Sequence, residues 1–288
     1  MNVVSLFNGM NTGRQALENV GIKVNKYYSS EIKPYAIELT QYHFPDTIQV
    51  GDVTKWREWD IDWSSIDLIL SGSPCQDLSA AGKRAGINGK KSSLFFTFVE
   101  ILEHIKTLNP NILFLQENVG SASKLDVGIM SRALGVYPVR INSKLVTAQL
   151  RDRYYWSNIK TKETMFDIVT DIPQPKDRGI MFKDILTSGI TERKKANCLT
   201  EGLIKKNDSI SIKNFDRWQK YLLNRPSSMV ILIRENNEVR LPNKIEMCRL
   251  QGFKDDYCDI LDDRKSGSLL GDGWTLPIIE HIFSFITL

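Results

Sequence analysis

The feature that most restricts the fold is a repeated switch of hydrophobic period along the first 160 residues. Val3–Phe7 is a short apolar run that reads as a buried strand. Thr12–Val20 follows with helical spacing, capped by Thr12 and stopped at Gly21. Val24–Ser30 returns to strand, Lys33–His43 to helix, and Ile66–Ser71 is a third apolar run. Leu94–Thr107 is a helix and Ile112–Leu115 another strand. Strands alternating with helices predict an α/β fold with a parallel, doubly wound sheet. Right-handed crossovers then place helices on both faces.

After Ile159 the alternation weakens, and residues 160–228 are polar and lysine-rich without a strong period. The formal net charge is +4, and Lys176–Lys220 alone holds 11 Lys/Arg against 6 Asp/Glu, while the remainder holds 27 against 28. Such a segment is either a solvated surface or a phosphate-binding face. Lys244–Gln251 looks helical before Gly252, and Thr275–Ile286 is an apolar-periodic helix. The expected organisation is a catalytic and cofactor-binding domain over 1–159 and a small basic region over 160–240. A C-terminal segment, 241–288, then returns to the first domain.

No stretch approaches the roughly 20 apolar residues of a membrane helix. The start, Met1-Asn-Val-Val-Ser-Leu-Phe7, lacks the basic region and cleavage site of a signal peptide. Four cysteines without a CxxC pair and three histidines argue against a zinc site, so no metal is expected. Free thiols fit a reducing cytoplasm.

Ligands of open α/β sheets bind beyond the carboxyl ends of the strands. The first strand runs into Phe7-Asn-Gly-Met-Asn-Thr-Gly13, where Gly9 and Gly13 let backbone approach a ligand before a helix starts. This is not GxGxxG, so a pyrophosphate is not called for. Glu31, about 20 residues after the glycine loop, is placed to accept bonds from ribose hydroxyls. Asp52, in Val50-Gly-Asp-Val53, is a second acid at a strand end. Phe7, Glu31 and Asp52 in that order suit an adenosine that lacks phosphates.

Cys75 follows Pro74 at the end of a predicted strand, in Ser71-Gly-Ser-Pro-Cys75, which presents it on a turn. Most lone cysteines are packing residues, and a thiol of pKa about 8.5 needs help to become a nucleophile. Candidate partners follow. Leu113-Phe-Leu-Gln-Glu-Asn-Val119 ends a strand with Glu117. Gln149-Leu-Arg-Asp-Arg153 puts Arg151 and Arg153 on one face if extended. None of these segments contains a histidine, which disfavours a Cys-His protease. A thiol with a carboxyl and two arginines suits an aromatic ring that is polarised before attack. A pyrimidine qualifies, with N3 facing the glutamic acid and O2 the arginine.

In order and spacing, these segments resemble the motifs of the cytosine-C5 DNA methyltransferases over nearly the whole chain. Ser5–Gly13 is similar to the cofactor loop, Glu31 with Ile32 to the ribose-binding acid and its neighbour, and Asp52 with Val53 to the adenine contact. Ser73-Pro-Cys-Gln76 resembles the nucleophile motif, and Gly82–Gly86 its mobile loop. Glu117-Asn-Val119 resembles the ENV motif, and Gln149–Arg153 the QxRxR motif. Glu246-Met-Cys-Arg-Leu-Gln-Gly-Phe253 is similar to the ExxRLQGF helix. Asp272 and Trp274 stand in the last cofactor motif, where asparagine is usual at Asp272; Asn8 and Asn11 are also less usual. Details such as Asp77-Leu-Ser79 and Tyr154-Tyr-Trp156 are nearest to the branch of the de novo enzymes.

The resemblance implies S-adenosyl-L-methionine as cofactor, bound by Phe7, Asn8, Gly9, Asn11, Thr12, Gly13, Glu31, Ile32, Asp52, Val53, Ser73, Pro74, Asp272 and Trp274. It implies double-stranded DNA as partner and a cytosine flipped out of the duplex. Cys75 would attack C6, with Glu117 at N3 and Arg153, helped by Arg151, at O2. Gln76, Ser79, Lys83, Arg84, Lys90 and Lys91 would meet the DNA, and the basic segment would carry target recognition. The expected setting is the cytoplasm of a bacterial or phage-infected cell, in restriction–modification, a phage or a solitary role. Two alternatives stay open: the same chemistry on tRNA, which one branch performs, and a catalytically silent DNA-binding homologue.

Overall fold

Seven short strands assemble into the central sheet of this computed structural model, which describes residues 1–74, 94–200, 231, 233–235 and 238–287. The strands are β1 (Asn2–Leu6), β2 (Lys26–Ser30), β3 (Ile48–Gln49), β4 (Leu68–Ser71), β5 (Leu113–Val119), β6 (Val139–Asn142) and β7 (Asp152–Ser157). Their order is β3-β2-β1-β4-β5-β7-β6. The first five named in that order are parallel to one another, and β7 runs antiparallel to β5. The result is a mixed α/β fold with a mostly parallel sheet.

The chain forms two compact units. The first comprises Met1–Ile141, Asp152–Gln174 and Ile279–Leu288, and the second Asn142–Arg151 and Pro175–Ile278. In the first unit, α1 (Thr12–Asn19), α2 (Pro34–His43), α3 (Leu94–Leu108) and α4 (Lys124–Leu134) accompany the sheet. Pro34 opens α2, where its missing N–H costs nothing and its fixed φ suits a first turn. Phe95, Phe98, Ile101, Leu102 and Ile105 recur at helical spacing on α3 and are buried in a core with Val4, Leu6, Ile69 and Phe114. A hairpin of β8 (Thr161–Glu163) and β9 (Ile168–Thr170) completes the unit's strands.

In the second unit, β10 (Ile233–Glu235) and β11 (Glu238–Arg240) form a hairpin ahead of α5 (Lys244–Gln251) and α6 (Asp263–Asp272). The last helix, α7 (Leu276–Phe283), contains the boundary between the units at Ile278/Ile279. α5 starts with a capping box: Asn243 accepts from the Glu246 N–H, and Glu246 accepts from the Asn243 N–H, both at 3.0 Å. It stops at Gly252, whose φ of 80° and close approach to Pro277 both require a residue without a side chain.

Several sequence expectations need correction. Thr12 does not cap α1; it is the first helical residue, and Asn11 at the cap position has φ 61° and makes no side-chain cap bond. β2 starts at Lys26 rather than Val24 because Ile22–Asn25 is taken up by the turn after α1. The final helix is shorter than Thr275–Ile286. α4, α6 and strands β6 to β9 lie where the period carried no clear signal.

Candidate active site

β1 and β4 are neighbours, yet the chain leaves them toward opposite sides of the sheet, β1 to β2 and β4 to β5. Such a reversal opens a crevice at the carboxyl ends of the strands. The loops after β1, β2 and β3 are joined there. The Asn8 N–H donates to the Ser30 carbonyl at 3.1 Å, and the Gly9 N–H to Glu31 Oε2 at 2.8 Å. Glu31 Oε1 accepts from the Ile32 and Lys33 N–H groups at 2.8 and 2.9 Å. The Ser30 hydroxyl donates to the Gly51 carbonyl at 2.7 Å. Phe7, Gly9 and Asn11 all take left-handed φ, at 56°, 59° and 61°. For Phe7 and Asn11 this is a strained conformation that the surrounding bonds must hold.

Asp52 is exposed, and one of its oxygens accepts from the Thr54 N–H and hydroxyl, both at 2.9 Å. Those two bonds, the backbone one foremost, hold its carboxyl below the usual range. Ile32 presents an apolar side chain that is 71% exposed, whereas the side chains of Asn11, Thr12 and Val53 are buried. Both polar ends of the Asn11 carboxamide lack a hydrogen-bond partner. The chemistry of Phe7–Asn11, Glu31–Ile32 and Asp52–Val53 is two acids and no Lys or Arg. It suits sugar hydroxyls, an adenine amine and a cationic group, and it repels phosphates.

At the far side of the crevice, Glu117 sits in β5 and Arg153 in antiparallel β7. Arg153 Nε lies 2.8 Å from Glu117 Oε1, and both side chains are largely buried. Arg153 Nη1 also donates to the Asp152 carbonyl at 2.8 Å. The strands close tightly here. The Gly120 N–H bonds the Asp152 carbonyl at 2.9 Å, and a Cβ at Gly120 would lie 2.8 Å from Asp152. Ser73, after β4, is tied to the same strand, because its hydroxyl accepts from Gln116 Nε2 at 3.0 Å and Asn118 Nδ2 at 3.3 Å. Gln116 was missed in the sequence. Its signal was a polar residue inside the apolar run Leu113–Gln116, which demands a buried partner.

Arg151 is not beside Glu117 in the sheet. It belongs to the second unit, and its terminal N–H groups donate to Cys198 Sγ and the carbonyls of Leu199, Gly271 and Gly273 at 2.8–3.2 Å. Asp272 ends α6 in that unit, with Trp274 just after it. Cys75, Gln76, Ser79, Lys83, Arg84, Lys90 and Lys91 lie outside the described residues, as does much of the basic segment, 201–230. Among the described residues no group of three or more His, Cys, Asp or Glu could hold a metal ion. No helix among them is long and apolar enough to cross a membrane.

The family described as C-5 cytosine-specific DNA methylase matches residues 1–287. The chain belongs to that family. Among curated relatives, the type II methyltransferase M.NlaIV of Neisseria lactamica is 36% identical over 120 residues, covering 40% of this chain and 27% of that protein. The type II methyltransferase M1.ScrFI of Lactococcus lactis subsp. cremoris is 27% identical over 306 residues, covering 97% and 76%. The orphan methyltransferase M.SPRI of Bacillus phage SPR is 31% identical over 203 residues, 66% of this chain and 43% of that protein. The matched region is thus about a quarter of the Neisseria relative and under half of the phage one. The fold is shared with the Entamoeba histolytica methyltransferase EhMeth, at a TM-score of 0.67 and 16% identity over 99% of this chain and 97% of that one. It is also shared with a DNMT2 mutant from Spodoptera frugiperda, at 0.63 and 17% over 99% of both.

Proposed function

We propose that this C5-methylase family member transfers a methyl group from S-adenosylmethionine to C5 of cytosine in duplex DNA. The observation that carries the proposal is the buried Glu117–Arg153 pair at the carboxyl end of the sheet, across the crevice from the loops after β1, β2 and β3, two of which carry an acid, Glu31 and Asp52. The donor fits those loops: Glu31 would accept from the ribose hydroxyls, Asp52 from the adenine amine, and Phe7 and Ile32 would flank the ring. Asn8, Gly9, Asn11, Thr12 and Gly13 would shape the loop beneath it, and Ser73 and Pro74 would border it. Asp272 and Trp274 carry the family's last cofactor motif in the second unit. When bound, S-adenosylmethionine supplies an electrophilic methyl group on a sulfonium.

The chain's own residues do the rest. The Cys75 thiolate forms a bond to C6 of the flipped cytosine. Glu117 holds the proton at N3, which draws the ring electrons away from C5–C6 and makes C5 nucleophilic once sulfur has added. Arg153 fixes the Glu117 carboxyl and presents positive charge toward O2. After C5 has taken the methyl group, with S-adenosylhomocysteine leaving, its proton passes to water, the electrons of that C–H bond form C5=C6 and expel the Cys75 thiolate, the N3 proton returns to Glu117, and the aromatic ring is restored. Arg151 is assigned a positioning role, since its N–H groups hold the Cys198–Leu199 and Gly271–Gly273 segments. Gln76, Ser79, Lys83, Arg84, Lys90 and Lys91 would contact the DNA, most of them through phosphates. The proposed setting is the cytoplasm of a bacterial or phage-infected cell.

The covalent step is tested with duplex DNA carrying 5-fluorocytosine in place of cytosine. Fluorine cannot leave C5 as a proton does, so the enzyme should stay bonded to the DNA through detergent denaturation. Cys75→Ala should abolish that species. Trapping that survives this substitution, or none with wild-type protein and donor present, would overturn the proposal.

A further inference from the structure

α1 starts without a cap of its own. Asn11 stands at the cap position in a left-handed conformation and makes no side-chain bond to the first turn. The loop from Phe7 to Asn11 holds three left-handed residues, and its backbone is bonded to Ser30 and Glu31. Tyr27, on the neighbouring strand β2, is fully buried and paired in register with Val3 of β1. Its hydroxyl donates to Asn8 Oδ1 in the loop after β1 at 3.2 Å. Asn8 passes the link on, with Nδ2 donating to Thr40 Oγ1 of α2 at 3.3 Å. Gly13 makes room for this junction, since a Cβ there would lie 3.1 Å from the Tyr27 oxygen and 2.4 Å from Leu70. Burial, the largest influence on the phenol, pushes its pKa well up, so the hydroxyl keeps its proton and remains a donor to Asn8 at any physiological pH.

We propose that Tyr27 is a positioning residue for methyl-donor binding. One hydroxyl fixes the Asn8 side chain, which is tied in turn to Thr40 of α2, and so holds Phe7–Asn11 in its strained form ahead of the ligand. That link lowers the ordering cost of binding. The inference rests on the donor-binding reading above and assigns Tyr27 no contact with the donor itself.

The test is a double-substitution cycle read as the dissociation constant for S-adenosylhomocysteine by calorimetry, with Tyr27→Phe, Asn8→Ala and the double variant. Thermal midpoints are taken alongside. One hydrogen bond of ordinary net worth corresponds to a loss of roughly fivefold. Each single variant should lose about that much, and the double no more than the worse single, because both cut one link. DNA affinity should be unchanged. A lower midpoint with an unchanged dissociation constant would make Tyr27 merely structural and overturn the inference, as would independent, multiplying losses. Wild-type protein that binds neither S-adenosylmethionine nor S-adenosylhomocysteine would overturn the donor reading and this inference with it.

Discussion

At the residue scale, the arrangement around Glu117 decides what the site can do. A carboxyl on β5 is held by a guanidinium from the next strand at 2.8 Å, in a place that leaves little room for water. Such a group acts on a bound base by orientation as much as by proton transfer. Glu117→Gln keeps shape and hydrogen bonding but cannot deliver a proton to N3. It is expected to lower kcat by about 10²-fold or more, while S-adenosylhomocysteine binds within about twofold of wild type. Single-turnover methyl transfer measures the first and calorimetry the second. A kcat within a few-fold of wild type would remove Glu117 from the chemistry. Arg151 shows the opposite case. From the sequence it pairs with Arg153 two positions on, yet its bonds are to backbone carbonyls and Cys198 of the second unit.

At the scale of elements, α5 ties its own start to β10 and β11. Arg240 donates to both oxygens of the fully buried Glu246, at 2.7 and 2.8 Å, and to Glu235 at 2.5 Å. Thr187 and Asn243 add backbone N–H groups to the Glu246 carboxyl at 2.8 and 3.0 Å. Burial pushes that carboxyl up, but these bonds outweigh it and hold the group below its ordinary value of 4.5. A carboxyl depressed on folding adds stability above its unfolded value, and that stability is lost as pH falls through the folded one. Asp255 and Asp262 are depressed too, by Arg249 and by the Lys265 N–H respectively. The thermal midpoint should therefore stay level from about pH 8 to about 5 and fall below about 4.5, with a shallower fall in Glu246→Gln. A midpoint unchanged down to about pH 3 would contradict this linkage.

Much of the element pattern was legible because its signals are local. α3 and α5 lie within a residue of their expected bounds, since an apolar stripe and a capping box with a glycine stop are written in consecutive residues. The cap of α1 was not legible. Thr12 before an apolar run is a fair cap signal, but Thr12 is the first helical residue and Asn11, at the cap position, makes no side-chain bond to the first turn. Gln116 was passed over because its partner, Ser73, is 43 positions away. At the site, the apolar runs placed Phe7 and Glu31 directly after β1 and β2, because a parallel sheet brings every second loop to one edge; Glu117, expected at the end of its strand, lies inside β5 and pairs with Tyr155.

At the scale of the whole molecule, the chain passes between its two units more than once, so that Asn142–Arg151 packs with residues beyond Pro175. Composition cannot reveal such an exchange, since nothing in residues 142–151 differs in kind from their flanks. What binds the account together is the sheet: family membership over residues 1–287, one edge where acid-bearing loops meet a carboxyl and an arginine, and Cys75 following Ser73 and Pro74 in sequence. The most direct test of the central claim is transfer of a labelled methyl group from S-adenosylmethionine to duplex DNA and, in parallel, to tRNA. The account predicts label in DNA, at C5 of cytosine, and none with Cys75→Ala. Label in tRNA alone would contradict the substrate. No transfer to either, from protein that binds the donor, would contradict the activity.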